Sequence, residues 1–325
     1  MGAGQWGRNH IRIYRSLENI ELKMVSDLND NALKDAQKLG TSVTKNYKDI
    51  INSDIEAISI CTPASTHASI AIECMNAGKH VLVEKPLALN RTDAENMVET
   101  AEKNNVILMV GHTFRFDPAV KKAKELKVSG EFGNIHYLSL MRMGLRKPRE
   151  DCGVIFNFAV HDFDIITNIL DERPTEITAI TTNTLKREFE DFALIVAKFK
   201  SGVLGYSQVG WLSPVKLRDF WIVGEKKSAF VDSMKNELVV YDSGSYPISN
   251  SFGDYKIITR EGGKSALSLE NIEPLKEELK HFIECIQTRK RPISDGKVGL
   301  EIVKILEAAM KSAQNGVPVN LENAL

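Results

Sequence analysis

Short apolar runs alternate with helical patterns from Gly7 to about Phe116. The runs are Glu21–Val25, Ala57–Cys61, His80–Val83 and Val106–Val110. Between them lie helical patterns over Asn31–Leu39, over Thr66–Ala77 with Gly78 as stop, and over Arg91–Asn104 with Asn90 or Thr92 as cap. Alternation of this kind predicts a parallel sheet with right-handed crossover helices. After Asp117-Pro118 a helix is expected to Val128, and then the rhythm changes. Strands at Ile135–Met143, Ile177–Thr182, Phe192–Phe199, Gly202–Val209 and Phe220–Val223 follow with little helix between them, the texture of a largely antiparallel sheet. Ser201-Gly202 reads as a two-residue hairpin turn, and Asp242–Asp254, rich in Ser, Gly and Asn, as a longer loop. Helices over Pro274–Thr288 and Lys297–Asn315, the latter stopped by Gly316, close the pattern. Two α/β domains are expected, 1–118 and 119–325, the second with an open sheet.

Composition narrows the function classes. With 325 residues, 43% hydrophobic and 26% charged, the chain is an ordinary globular sequence. A net charge of -1 gives no long-range field for nucleic acid or an anionic membrane, so neither partner is expected. The four cysteines, Cys61, Cys74, Cys152 and Cys285, are widely spaced and show no metal-ligand pattern, which predicts a reducing compartment and no metal. No leader-like segment or bilayer-length apolar run is present, so a cytoplasmic location is expected.

Gly2, Gly4 and Gly7 complete a G-x-G-x-x-G fingerprint with Gln5 and Trp6 inside it. Such a turn joins a strand to a helix and presents backbone to a pyrophosphate. The strand that feeds it is absent from the written sequence, so a Rossmann sheet short of its first strand is expected, with backbone groups of the neighbouring strands exposed. Asp27 stands twenty positions after Gly7 at the end of an apolar run, where a carboxylate can bind a ribose 2'-hydroxyl and repel a 2'-phosphate. That favours NAD over NADP; a turn or cap role is the competing reading of Asp27. Thr62, Pro63 and His67 follow another strand end and are placed to line the cofactor, although spacing suits a structural histidine at 67 equally well.

Glu84-Lys85-Pro86 directly follows the apolar run His80–Val83. An ammonium there can stabilise negative charge on a substrate oxygen as hydride leaves, with Glu84 holding it and Pro86 shaping the turn; an exposed ion pair of little energetic weight is the alternative. Asn157, His161 and Asp164 stand at i, i+4 and i+7, one polar face of an otherwise apolar helix. Alcohol oxidation needs a base, and an imidazole with an ordinary pKa of about 6.5 suits it, so His161 is the candidate base, with Asn157 orienting the sugar or the imidazole. A satisfied core histidine is the competing reading. Arg142, Arg146, Lys147 and Arg149 precede this helix, and Lys216 with Arg218 follows Trp211-Leu212-Ser213-Pro214, a segment able to offer an aromatic wall and cations to a phosphate; solvated loops are the plainer account.

Taken together, the glycine fingerprint, Thr62-Pro63 with His67, Glu84-Lys85-Pro86 and Asn157-x-x-x-His161-Asp162-x-Asp164 resemble the Gfo/Idh/MocA oxidoreductase family across essentially the whole chain. The resemblance implies a nicotinamide-dependent sugar or cyclitol dehydrogenase, a second domain that binds substrate, and assembly into dimers or tetramers. Two positions depart from many members: Asn157 replaces aspartate and Ala64 replaces asparagine. An amide neither relays a proton nor holds a counter-charge. Asparagine at 157, with Gly111–Val120 and Gly153–Asp164, is similar to the UDP-N-acetylglucosamine 3-dehydrogenase group, which implies oxidation of the 3-hydroxyl of a UDP-N-acetylhexosamine or its uronic acid. The expected substrate residues are Lys85, Arg115, Asn157, His161, Asp164, Trp211 and Arg218. Rival readings are an NAD-dependent glycosidase without net redox change, another sugar or inositol dehydrogenase, and a cofactor-binding sensor. The reading as a whole requires Lys85 and His161 to reach the same carbinol.

Overall fold

The computed structural model describes residues 1–18, 20–242, 244–246, 258–260 and 262–321. In the first part of the chain α1 (Gln5–Ser16), β1 (Met24–Ser26), α2 (Asp30–Lys38), β2 (Ser42–Thr44), α3 (Lys48–Ile51), β3 (Ala57–Ile60), α4 (His67–Asn76), β4 (His80–Glu84), α5 (Arg91–Lys103) and β5 (Leu108–Gly111) follow in order. The short Ser42-Val43-Thr44 strand and α3 escape the pattern reading because three or four residues show no period. Local chemistry sets the boundaries elsewhere. Asn29 accepts the amides of Asn31 and Ala32, Asn90 accepts that of Asp93, and Gly78 ends α4 at φ +76°.

The parallel strands form two pieces, β1-β2 and β3-β4-β5. Residues 1–3 stitch them together: Gly2 N–H donates to Ser26 O at 2.8 Å, Cys61 N–H donates to Met1 O at 2.8 Å, and the Met1 ammonium donates to Ser59 O at 2.6 Å. These bonds satisfy backbone groups beside the glycine turn.

The second stretch comprises α6 (Pro118–Val128), β6 (Ile135–Met143), a π-helical turn at Ile155–Ala159 that runs into α7 (Val160–Leu170), β7 (Pro174–Thr182), β8 (Phe192–Phe199), β9 (Leu204–Gly210), β10 (Leu217–Gly224), β11 (Ser228–Asp232), β12 (Glu237–Tyr241), β13 (Gly244–Tyr246), β14 (Ile258–Arg260) and β15 (Lys264–Leu267). Then come α8 (Pro274–Thr288), α9 (Gly296–Asn315) and β16 (Val319–Asn320). A nine-stranded sheet runs β15-β12-β11-β10-β6-β9-β8-β7-β16, antiparallel except for β6 with β9. One face of β8 is buried at every second residue, the alternation of a sheet packed on a single side. The Phe199–Val203 hairpin differs from the two-residue expectation. Gly202 N–H donates to Phe199 O and Phe199 N–H to Val203 O, with Gly202 at φ +86°, which makes a three-residue loop ending in a left-handed glycine. Most of the expected Asp242–Asp254 loop lies outside the described residues, and its 244–246 part is β13.

The expected division at 118/119 needs correction. One compact unit comprises Met1–Phe116 with Glu273–Lys304, and the other comprises Asp117–Ile272 with Ile305–Leu325. The reason is apolar burial that no local pattern reveals. Leu275, Leu279 and Phe282 on α8 pack with Ile13, Leu82, Met109 and Phe116 in one core of the first unit. Leu279→Ala is therefore expected to cost the first unit about 2–5 kcal/mol, read as a lower urea midpoint with an unchanged slope.

Candidate active site

In the first unit, the three fingerprint glycines have separate physical reasons. Gly2 sits at φ +81°, and a Cβ on it falls 2.6 Å from Cys61 O; a Cβ on Gly7 falls 1.9 Å from Gly2 O. Neither position tolerates a side chain. A Cβ on Gly4 meets nothing within 4 Å, so the turn is open where backbone must approach a ligand. Gly4 also caps α1 without any side-chain hydrogen bond, and Gln5 and Trp6 are exposed on its first turn. Helix amides and dipole of this kind suit a pyrophosphate. Asp27 Oδ2 accepts the Ala3 N–H at 2.6 Å and Oδ1 accepts the Asn29 N–H at 2.7 Å, so the carboxylate braces the turn at the edge where a ribose would be read. These residues fit a dinucleotide.

Thr62 and Pro63 lie at the carboxyl end of β3, before a 3-10 turn over Ala64–Thr66. His67 is buried, with Nδ1 2.8 Å from Pro86 O and Nε2 3.0 Å from Thr62 O. Of the two readings open for this residue, the structural one fits: the imidazole fastens the turn after β3 to the turn after β4. The bond between Lys85 and Pro86 is cis, and Lys85 is half-buried.

Glu84 also holds a partner that the sequence reading did not name. Its Oε1 lies 3.0 Å from His10 Nε2, and its Oε2 accepts the backbone N–H of Lys85 at 3.3 Å. His10 is 2% and Glu84 5% exposed. For His10, burial opposes the charge, but Cys61 and then the Glu84 carboxylate hold the imidazole pKa well above its ordinary value. For Glu84, burial pushes upward and is outweighed by the His10 hydrogen bond and charge, with Lys85 and His67 adding to the lowering. His10 has no sequence signal beyond lying one turn after the glycines. Arg115, expected at the substrate, donates to Ile293 O at 2.9 Å within the first unit.

In the second unit, the regular-helix assumption for Asn157, His161 and Asp164 is corrected. A π turn carries one residue more per hydrogen-bonded loop, so it breaks the i, i+4, i+7 phase. Asn157 sits in that turn and His161 in the first turn of α7, both half-buried, whereas Asp164 is 1% exposed and belongs to the interior. The turn is set by Glu190, whose Oε1 accepts the Ile155 N–H at 2.9 Å. A Cβ on Gly153 would fall 2.1 Å from that carboxylate. The next residue after His161 is also engaged: Asp162 accepts Arg142 Nε–H at 2.8 Å and the Ser207 hydroxyl at 2.7 Å, all three buried.

Trp211, expected as an aromatic wall, is 1% exposed and packs edge-on against Phe158. Its bulk fills the core behind the π turn, which is why it is not a surface residue. The cations do gather. Arg218 lies directly across from Arg142 in the β10/β6 register, and Arg146 stands over the Phe158 ring at 5.5 Å. Burial and then the charges of Arg142 and Arg146 lower the Arg218 pKa to about 10, and Arg218, burial and Arg146 lower that of Lys216. Arg146, Lys216 and Arg218 make no ion pair among the described residues. No group of three metal-ligating side chains and no helix long and apolar enough to cross a membrane occurs among the described residues.

Comparison with known proteins adds to this geometry. Residues 1–112 match the model of an oxidoreductase family with an NAD-binding Rossmann fold, and residues 120–230 match the GFO/IDH/MocA C-terminal domain. The chain is 29% identical to a myo-inositol 2-dehydrogenase of Thermotoga maritima, covering 100% of this chain and 98% of that protein. It is 27% identical to a UDP-N-acetylglucosamine 3-dehydrogenase of Acidithiobacillus ferrooxidans, covering 96% and 94%. A solved structure of the latter activity from the same organism superposes with a TM-score of 0.83 at 25% identity, covering 97% and 96%.

The buried pair in the first unit has a pH signature. The raised His10 pKa contributes stability that is full below about pH 6.5 and is lost as pH rises through the raised value. The lowered Glu84 pKa contributes stability that is full above about pH 4.5 and is lost as pH falls through the lowered value. The melting-temperature gap between wild type and His10→Gln is thus expected to be widest between about pH 4.5 and 6.5 and to narrow on both sides. A gap independent of pH would contradict the pairing.

Proposed function

The chain belongs to the GFO/IDH/MocA family of NAD-dependent oxidoreductases, and on that premise we propose that Lys85 and His161 oxidise the 3-hydroxyl of a nucleotide-linked amino sugar. The coarser statement stands on the family alone: this is an NAD-dependent enzyme acting on CH–OH groups of sugars or polyols. The finer one is carried by a single observation, the gathering of Arg146, Lys216 and Arg218, none of which makes an ion pair among the described residues. Cations that depress one another's pKa favour binding an anion, and a diphosphate provides two. A cyclitol provides none.

NAD, when bound, supplies the hydride acceptor. Gly2, Gly4, Gly7 and the first amides of α1 hold its pyrophosphate, Asp27 reads its ribose, and Thr62 and Pro63 line it. The half-buried Lys85 stabilises negative charge on the reacting oxygen as the C–H bond breaks. His161 takes the hydroxyl proton on its imidazole, and Asn157 orients the sugar through its amide without exchanging a proton. Arg218, with Arg146 and Lys216 beside it, holds the phosphate groups and contributes to KM rather than to the chemical step. We also read the chain as a homo-oligomer, supported by the exposed Tyr137, Tyr206 and Trp221 on the sheet of the second unit.

With NAD and UDP-N-acetylglucosamine, Lys85→Met and His161→Ala are each expected to lower kcat by about 10²–10⁴-fold while NAD affinity, measured by calorimetry, stays within a few fold. Near-normal turnover in both variants would overturn the assignment of roles. Arg218→Gln is expected to raise KM for the nucleotide sugar by about tenfold or more with kcat little changed, a loss of uniform binding. If wild type turns over myo-inositol and shows neither activity nor a thermal shift with nucleotide sugars, the anionic substrate is wrong and the family assignment stands.

A further inference from the structure

We propose that His10 on α1 and Glu84 at the end of β4 form a buried charged pair that fixes the position and electrostatic surroundings of Lys85, making His10 a positioning residue for the proposed dehydrogenation. The inference rests on the reading of Lys85 as the reacting cation.

The geometry runs in one line. His10 Nε2 meets Glu84 Oε1 at 3.0 Å, and Glu84 Oε2 accepts the Lys85 N–H at 3.3 Å, so one carboxylate spans the helix of the glycine turn and the residue that carries the ammonium. Both members are almost wholly buried. A buried ion pair is on balance no more stabilising than an apolar pair of similar volume, so stability alone gives no reason for charges at this place. A fixed field beside Lys85 does. The groups facing the pair are the Cys61 thiol after β3, the His67 imidazole on α4, the Tyr14 ring and hydroxyl on α1, Lys85 itself, and the Glu278 carboxylate on α8. Tyr14 OH is bound to Ser59 Oγ at 2.7 Å. Glu278 Oε1 and the Glu84 carboxylate both abut the point where a Gly111 Cβ would stand, at 3.3 and 3.2 Å, so loss of His10 would leave the two carboxylates with less positive charge beside them. Gly111 has no side chain and leaves that space to them. Since α1 also carries the glycine turn, the pair ties the part of the unit that meets the cofactor to the part that meets the reacting oxygen.

The test measures Lys85 directly and needs no substrate. Wild type, His10→Gln and Glu84→Gln are labelled with isotopic acetic anhydride across pH 6–11, and the extent of Lys85 acetylation is read by peptide mass spectrometry, with the exposed Lys38 and Lys235 as internal references. The two substitutions are expected to act in opposite directions. Glu84→Gln removes the anion beside Lys85 and lowers its labelling midpoint by about one pH unit; His10→Gln leaves that anion without its cation and raises the midpoint by about the same amount. An unmoved Lys85 midpoint in both variants, or movement in the same direction in both together with a lower Tm, overturns the proposal and leaves the pair a packing feature. Should His10→Gln not fold, Lys85→Met keeps the pair intact, and reciprocity requires the His10 titration, followed by NMR, to move upward when the nearby cation is lost; a stationary titration also overturns it. Turnover retained in Lys85→Met removes the reading of Lys85 as the reacting cation while leaving the labelling result in force. A flat labelling profile with an inactive Lys85→Met removes this inference alone.

Discussion

The close approach of Gly7 to the Gly2 carbonyl is the constraint on which the first unit turns. With no Cβ at either position, residues 1–3 can lie between the ends of β1 and β3 and bond to both. The same approach sets where α1 starts. Once that is set, His10 enters the interior one turn later and meets Glu84, and Tyr14 one further turn on meets Ser59. A substituent at Gly7 would therefore displace more than a phosphate-binding turn. It would move the helix that carries the counter-charge of Glu84.

The second unit is organised by a different device, a helix start bound by carboxylates. Glu190 accepts the Ile155 amide and fills the place of a Gly153 side chain, while Asp162 in the next turn holds Arg142 and Ser207 from the sheet below. Burial raises the Glu190 pKa, and the Ile155 amide and its own backbone oppose that rise, so the group is held by hydrogen bonds rather than by a cation. Between these anchors the chain fits one extra residue as a π turn, the kind of local widening that helices carry at sites of chemistry. Asn157 is the residue that the widening presents.

Much of this was legible in the sequence, and the failures share a cause. Element types and most ends followed from period and capping residues: Asp117-Pro118 opens α6, Gly78 and Gly316 stop their helices, and Phe192–Phe199 is a strand as read. The candidate residues Asp27, Thr62 and Lys85 do lie at strand ends, where a parallel sheet places function. What spacing did not encode was long-range. The return of α8 to the first unit depends on Leu279 meeting Leu82 and Met109, nearly two hundred positions away. Trp211 reads in the sequence as an aromatic wall beside Lys216 and Arg218, yet it is fully buried, against Phe158. His10 carries no motif, and only its partner 74 positions later gives it a role.

The proposed nucleotide-sugar substrate rests on the charge arrangement of the second unit and not on identity, since a myo-inositol 2-dehydrogenase and a UDP-N-acetylglucosamine 3-dehydrogenase are almost equally similar to the chain. Like charges directly across a β ladder destabilise it, and Arg142 opposes Arg218. Asp162 pairs with Arg142 through a direct hydrogen bond, yet the Arg142 charge still acts on Arg218 along with that of Arg146, and Arg218 and Arg146 act on Lys216. Burial first, and then the charges of Arg142 and Arg146, depress the Arg218 guanidinium pKa to about 10. Partly buried cations that repel one another do not stabilise the fold, and it is on this arrangement that the proposal of a phosphate-bearing ligand rests.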